Sequence, residues 1–327
     1  MVNAKLCGAA AATIYCAAVA TSLSAAAQAP AYPTRSVKLI LPFGPGGSTD
    51  VIARLLGQQV SGPLGQQIII ENKPGADGDL GAEAVARAPA DGYTLLMTTQ
   101  ALAVNASLRA KRAFKIDEFA PIMMVADTQA VLVVPAASEA KSVAELIAMA
   151  KAQPGKLDYG SSGVGTSGHL AMELFRLTAG IDIVHIPFRN IGQWMTDTIA
   201  GRIALSMPTV PGATTHIRGG KVRALGVTGT ARSKALPDVP TIAASGLPGY
   251  SATTWYGLFA PKGTSNAIIA RVQGVFLTAL ADPAIAARLD DLGLEPKGSS
   301  TADFTRLVAG EVERWGKVVR DAGIKAD

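Results

Sequence analysis

Two glycine- and serine-rich turns constrain the fold of this 327-residue chain more than any other feature. The first is Pro42-Phe43-Gly44-Pro45-Gly46-Gly47-Ser48-Thr49-Asp50; the second is Gly160-Ser161-Ser162-Gly163-Val164-Gly165-Thr166-Ser167-Gly168-His169. Each follows a short apolar run and precedes a helical pattern. Each therefore sets backbone N–H groups at a helix N-terminus, where unpaired donors and partial positive charge suit a carboxylate or phosphate. Two such turns, more than a hundred residues apart, point to two lobes closing on one anionic ligand.

The periodicity around them agrees. Residues 37–43 read as a buried strand, and Val51, Ile52, Leu55, Leu56 and Val60 form one helix face, with Ser48, Thr49 or Asp50 as its N-cap. Strands follow at 68–71 and 93–98, with a helix at 81–88 between them. This β-α-β-α-β order predicts a parallel, doubly wound sheet. Residues 131–135 read as a strand crossing to a second lobe, and Ser142-Val143-Ala144-Glu145 as a capping box. Further strands fall at 157–161, 183–187, 203–207 and 222–228, and 255–261 reads as the return crossing. Helices are expected to open near Ser265, at Asp282-Pro283 and at Ser300.

The first 27 residues carry one charge, Lys5, in a run of small apolar residues ending in Ala25-Ala26-Ala27. That pattern predicts an export signal peptide cut after Ala27. Both cysteines, Cys7 and Cys16, fall inside it, so the mature chain is expected to have no disulfide or thiol chemistry. A chain of this length is expected to divide. The expected division is a first lobe at 28–127, a second at 128–252 and a return to the first at 253–327. The formal charge of +5 is scattered, with no basic run or aromatic series, which argues against nucleic-acid binding. A soluble periplasmic monomer is the expectation.

Several motifs have competing readings. Gly163-Val164-Gly165-Thr166-Ser167-Gly168 matches G-x-G-x-x-G, yet the strand after it ends in Pro187-Phe188-Arg189 rather than in an acidic residue. Arg189 there would suit a 2′-phosphate, but export argues against a nicotinamide cofactor, and no cofactor is expected. The first turn lacks the G-K-[ST] ending of a nucleotide-binding loop. His169, His185 and His216 have no metal-ligand spacing, so no metal site is expected. No G-x-S-x-G elbow occurs. Asp50 reads as an N-cap or loop brace, because a free carboxylate beside an anion would repel it. His169 either lines the cleft or makes a structural hydrogen bond. Arg189 either forks onto a ligand carboxylate or sits exposed at a strand end. Trp255 and Tyr256 read as hinge or core aromatics, with contact to the ligand as the alternative.

A wider set of segments carries a family likeness. These include Glu71-Asn72-Lys73-Pro74-Gly75-Ala76, Ala90-Asp91-Gly92-Tyr93-Thr94-Leu95-Leu96, Val184-His185-Ile186-Pro187, Leu236-Pro237-Asp238-Val239-Pro240-Thr241 and Trp255-Tyr256-Gly257-Leu258-Phe259-Ala260-Pro261. With the two turns, they resemble the Bug (TctC-like) substrate-binding proteins of tripartite tricarboxylate transporters. The resemblance implies an α/β, two-lobed periplasmic binding protein fold of type II-like form. Each lobe would be a doubly wound sheet, and hinge-crossing strands would join them.

It also implies a site in which Phe43, Gly46, Gly47, Ser48 and Thr49 from one lobe face Ser161, Gly165, Thr166 and Ser167 from the other around a ligand carboxylate. Gln100, Ala101, Arg189 and Thr209 complete the candidate set. The implied partners are a large and a small membrane transporter subunit. The chain departs from the family pattern in three places: Phe188-Arg189-Asn190 replaces Tyr-Lys-Gly, Pro208-Thr209 replaces Asp-Asn, and Leu102 replaces a His. Loss of that Asp removes an ammonium acceptor, and Leu102 is expected to make the distal pocket apolar. The expected ligand is a non-amino mono- or dicarboxylate, partly hydrophobic, aromatic acids included. Two other roles stay open at this level: an orphan receptor signalling to a membrane sensor, and an exported enzyme of the same fold.

Overall fold

A computed structural model of the chain describes residues 32–108, 112–188 and 191–325. The expected signal peptide and Arg189 therefore lie outside the described residues. From β1 (Val37–Leu41) the chain runs through α1 (Ser48–Leu64), β2 (Ile68–Asn72), α2 (Asp79–Ala86) and β3 (Thr94–Thr99) to α3 (Ala101–Leu108). β1 pairs in parallel with both β2 and β3, as consecutive β-α-β crossovers require. β4 (Phe119–Gln129) then passes almost without interruption into β5 (Val131–Pro135), the first strand of a second sheet.

The second unit continues through α4 (Val143–Ala152), β6 (Asp158–Ser161), α5 (Ser167–Ala179), β7 (Val184–Pro187), α6 (Ile191–Ile199), β8 (Leu205–Ser206), α7 (Val210–Arg218) and β9 (Val222–Val227). The chain returns through β10 (Thr253–Pro261), and α8 (Asn266–Leu280), α9 (Pro283–Asp291), β11 (Glu295–Pro296) and α10 (Thr301–Asp321) complete it.

The first sheet has six strands in the order β11-β4-β10-β3-β1-β2, and the second has five in the order β7-β6-β8-β5-β9. The parallel strands are those read from the sequence. The hinge strands differ: β10 is antiparallel to β3 and β4, and β5 is antiparallel to β8 and β9. Both sheets are therefore mixed. Strand alternation sends Val37, Leu39 and Leu41 to one face against Ile52, Leu56 and Phe276. Ile40 points the other way, toward Ala82, Val85 and Phe259.

The two crossings lie side by side. Thr228 N donates to Ala130 O at 2.9 Å, and Ala252 N donates to Thr228 O at 2.8 Å. The Thr228 hydroxyl accepts from Ala130 N at 2.9 Å. Residues 131–135, expected to make the outward crossing, lie wholly in the second sheet; the crossing itself is the β4–β5 junction.

Helix α10 ties the two halves together. Phe304 and Val308 pack into the core of the first sheet, whereas Trp315, Val318 and Val319 join the core of the second. Between them the buried Glu311 accepts from the indole nitrogens of Trp255 (3.3 Å) and Trp315 (2.7 Å). Gly257 on β10 allows this approach: a Cβ there would stand 2.1 Å from Phe304 Cζ.

Candidate functional site

Between the two sheets lies a cleft of about 370 Å³, lined from the first half by Phe43, Gly47, Ser48, Thr49, Thr99, Gln100, Ala101 and Asn105. Val164, Gly165, Thr166, Ser167 and Thr209 line it from the second, and Thr254 and Tyr256 from the returning strand. Both glycine-rich turns thus meet across one cavity. Its size is at the small end of the roughly 300–1,000 Å³ typical of ligand sites.

Helix ends set its chemistry. The N-caps of α1, α5 and α7 are Gly47, Thr166 and Thr209, and none makes a side-chain capping bond. All three line the cleft. Ser142, Ser265, Asp282 and Ser300, none of which lines it, do cap their helices with side-chain oxygens. At these three ends no side chain takes the first-turn N–H groups, and a bound anion would satisfy them; the N-cap of α2, Gly78, also lacks a side-chain cap but lies off the wall. The expected N-cap of α1 at Ser48, Thr49 or Asp50 moves back to Gly47, because all three already have helical geometry. Hydroxyls of Ser48, Thr49 and Ser167 line the same wall, whereas that of Thr166 donates to Gly163 O at 2.8 Å.

Asp50 is buried and serves as the loop brace. Its Oδ2 accepts from Gly46 N at 3.0 Å and Arg54 Nε at 2.9 Å. Oδ1 accepts from Arg54 Nη2 (2.9 Å) and Asn72 Nδ2 (3.1 Å). These bonds, those from Arg54 foremost, hold its carboxyl down at about 2. Asn72 also donates to Phe43 O at 3.0 Å, fixing the other end of the turn. Gly46 does not line the cavity; its N–H is already taken by Asp50.

The second turn is braced from below. Ser161 is buried and off the lining, because its hydroxyl is 2.7 Å from His185 Nε2 and also bonds Gly163. His169 accepts from Gly165 N at 3.1 Å through Nδ1, so of its two readings the structure shows the hydrogen-bonded one. Of the remaining candidates, Phe43, Gly47, Ser48, Thr49, Gln100, Ala101, Gly165, Thr166, Ser167 and Thr209 converge on the cavity.

Sequence reasoning missed Thr99, Asn105, Val164 and Thr254, and for Tyr256 it put hinge or core first and ligand contact second. Tyr256 is both buried and part of the wall; burial pushes its phenol up to about 12, against a hydrogen bond with Ser48. Trp255, in contrast, is core. Leu102 corrects an expectation. Its side chain packs with Ile40, Leu96 and Phe259, so the apolar wall comes from Phe43, Ala101, Val164 and Tyr256 instead.

Asn105 is set by a buried ion pair behind it, in which Arg112 grips both oxygens of Asp79 at 2.7 and 3.1 Å and Asn105 Nδ2 donates to Asp79 Oδ1 at 3.2 Å. Gln100 Nε2 reaches Thr254 Oγ1 at 3.4 Å, and its carbonyl is buried without a partner. No acidic, basic or imidazole side chain lines the cavity among the described residues. The described wall offers hydrogen bonds and helix-end potential.

Two α/β halves joined by paired crossing strands, with an uncapped helix end on each side of one cleft, define a periplasmic binding protein fold. The chain belongs to the TctC family: residues 52–324 match the model of the "Tripartite tricarboxylate transporter family receptor". It is 38% identical to Protein BugT of Bordetella pertussis over 307 residues, 93% of this chain and 94% of that one. Among solved structures it is similar to R. palustris Rpa4515 with adipate, at 34% identity and TM-score 0.79, over 90% of this chain and 99% of that one. MatC (Rpa3494) from Rhodopseudomonas palustris, with bound malate, is 31% identical at TM-score 0.75, over 88% of this chain and 100% of that one.

Proposed function

We propose that this protein is a periplasmic solute-binding receptor that captures one small carboxylate by lobe closure and hands it to the membrane subunits of a tripartite tricarboxylate transporter. It does no chemistry on the ligand. The observation that carries the reading is the convergence of three uncapped helix N-termini on one cleft. Relatives with bound adipate and malate supply the ligand class. Within that class the ligand is a non-amino, partly hydrophobic mono- or dicarboxylate. The described wall holds no carboxylate to receive an ammonium, and Phe43, Val164 and Tyr256 give it apolar surface. The same reading assigns residues 1–27 to a cleaved leader, 28–127 with 253–327 to one lobe and 128–252 to the other, and the working form to a monomer.

A thermal-shift screen of the mature chain, from Gln28, against aliphatic and aromatic carboxylates, amino acids and NADP tests the class. Gly47→Val tests the site. Gly47 has φ −76 and ψ 169, which a β-branched residue adopts freely. A Cβ there meets only Gly44 O, at 4.0 Å. The variant should melt like the wild type and lose at least tenfold in affinity, because the isopropyl group blocks approach to the α1 N-terminus. Unchanged affinity would remove the first turn from the site, and stabilisation by NADP alone would overturn the carboxylate reading.

A further inference from the structure

The two glycine-rich turns are built on one plan. In each, the third residue of the helix reaches back and accepts a hydrogen bond from the N–H of the glycine just before the N-cap. In the first turn this is Asp50 to Gly46, at 3.0 Å; in the second it is His169 to Gly165, at 3.1 Å. The two glycines have nearly the same left-handed conformation, φ +84 and φ +80, which glycine adopts without penalty. The reach-back resembles the return arm of a capping box, moved one residue outward. It closes the turn without a side-chain cap on the first N–H groups of the helix.

The braces differ in charge. Asp50 is ionic but is matched by the Arg54 guanidinium on both of its oxygens. His169 carries no charge to match: Glu173, the anion nearby that could balance an imidazolium, is committed to Arg176 at 2.8 and 2.9 Å. We infer that His169 is the positioning residue of the second turn, held as a neutral imidazole so that it shapes the anion cradle without placing a negative charge beside the ligand. The inference rests on the carboxylate-binding reading above and explains how that site keeps its form.

The surroundings enforce the neutral state. Nδ1 accepts from an N–H, so the ring proton resides on Nε2. Protonating Nδ1 would set two N–H groups against each other and release Gly165. The groups facing His169 are Tyr159, Glu173, Arg176, His185 and, from the chain after α10, Lys325. The His185 ring lies 4.1 Å from it and holds the other end of the turn through Ser161. Burial, then His185 and Arg176, lowers His169 to about 3, so it stays uncharged at neutral pH.

The test uses two variants of the full mature chain. His169→Asn keeps a neutral acceptor near the position of Nδ1, and His169→Leu fills the space without one. Hydrogen exchange at the Gly165 amide reads the brace directly, and calorimetric titration with adipate reads the cradle. His169→Asn should keep Gly165 exchange and adipate affinity within about threefold of wild type. His169→Leu should speed exchange and weaken adipate at least tenfold. Unchanged Gly165 exchange in His169→Leu, or equal damage in both variants, would overturn the assignment. Failure of the wild type to bind adipate, with the exchange pattern as expected, would count against the carboxylate reading for that acid and support the brace.

Discussion

Leu108 packs with the core of the second half close to Gly165, and replacing Gly165 with Ala tests how that packing and the left-handed turn hold the cradle. Gly165 has φ +80, and an added Cβ would lie 2.5 Å from Leu108 Cδ1, far inside the 3.5–4.0 Å of ordinary carbon contact. Two costs follow. Left-handed backbone in an L-residue costs about 1–2 kcal/mol wherever the lobes are. Displacing Leu108 from its rotamer costs about 0.5–1.5 kcal/mol more. Leu108 lies on α3 of the first half yet packs in the core of the second, so the folded protein carries both costs. The melting temperature should therefore report both, a fall of roughly 2–4 °C per kcal/mol. A turn shifted to relieve the clash should also lower affinity twofold to tenfold, because Gly165 lines the cavity and about 1.4 kcal/mol is a factor of ten. Isothermal titration with the best acid of the thermal-shift screen gives that loss. A double-mutant cycle with Leu108→Ala isolates the clash. The reasoning is refuted if Gly165→Ala leaves affinity unchanged, or if Leu108→Ala relieves none of its loss.

Asp50→Asn should lower stability by about 1.5–3 kcal/mol at neutral pH, because it weakens charge-assisted bonds to Arg54 and Gly46. The Asp50 pKa is lowered from 3.8 to about 2 on folding, so its ionised form contributes full stability above 3.8 and loses it as pH falls. Melting curves of wild type and variant should converge near pH 2, and a gap that stays constant would show that charge is not the cause. Glu311→Leu should cost about 2–4 kcal/mol in chemical unfolding by stranding the indole donors of Trp255 and Trp315. A loss below about 0.5 kcal/mol would show that those bonds do not hold α10 to the hinge.

Much of the architecture was legible because its signals are local. The alternation at Val37, Leu39 and Leu41, the Ser142 capping box and the Pro following Asp282 each fix an element from a few neighbouring residues. What escaped depends on distant partners. β4 contains Pro121 and Asp127, which argue against a strand, but β10 meets Pro121 at a register shift and Lys297 lies 3.4 Å from the Asp127 carboxylate. Helix α3 buries Leu102, Ala103, Val104, Asn105 and Leu108, so it has no single apolar stripe to read. The same helix carries Asn105 into the site, and β10 carries Thr254 and Tyr256. None of the three follows a glycine-rich motif, and only the fold brings them to the cleft.

The electrostatics of the cleft limit how much anion it can hold. A helix N-terminus behaves as roughly half a positive charge. Three uncapped ends, at Gly47, Thr166 and Thr209, therefore supply about +1.5. That is enough to balance one carboxylate with a margin and too little for two in the same enclosure. The formal +5 of the whole chain does not change this, because no cationic side chain lines the wall among the described residues. A second carboxylate would have to reach solvent at the rim, whereas an apolar or neutral tail fits against Phe43, Val164 and Tyr256. Asp50 and His169 fit the same arithmetic: one brace is neutralised by Arg54 and the other carries no charge, so neither draws on the potential meant for the ligand.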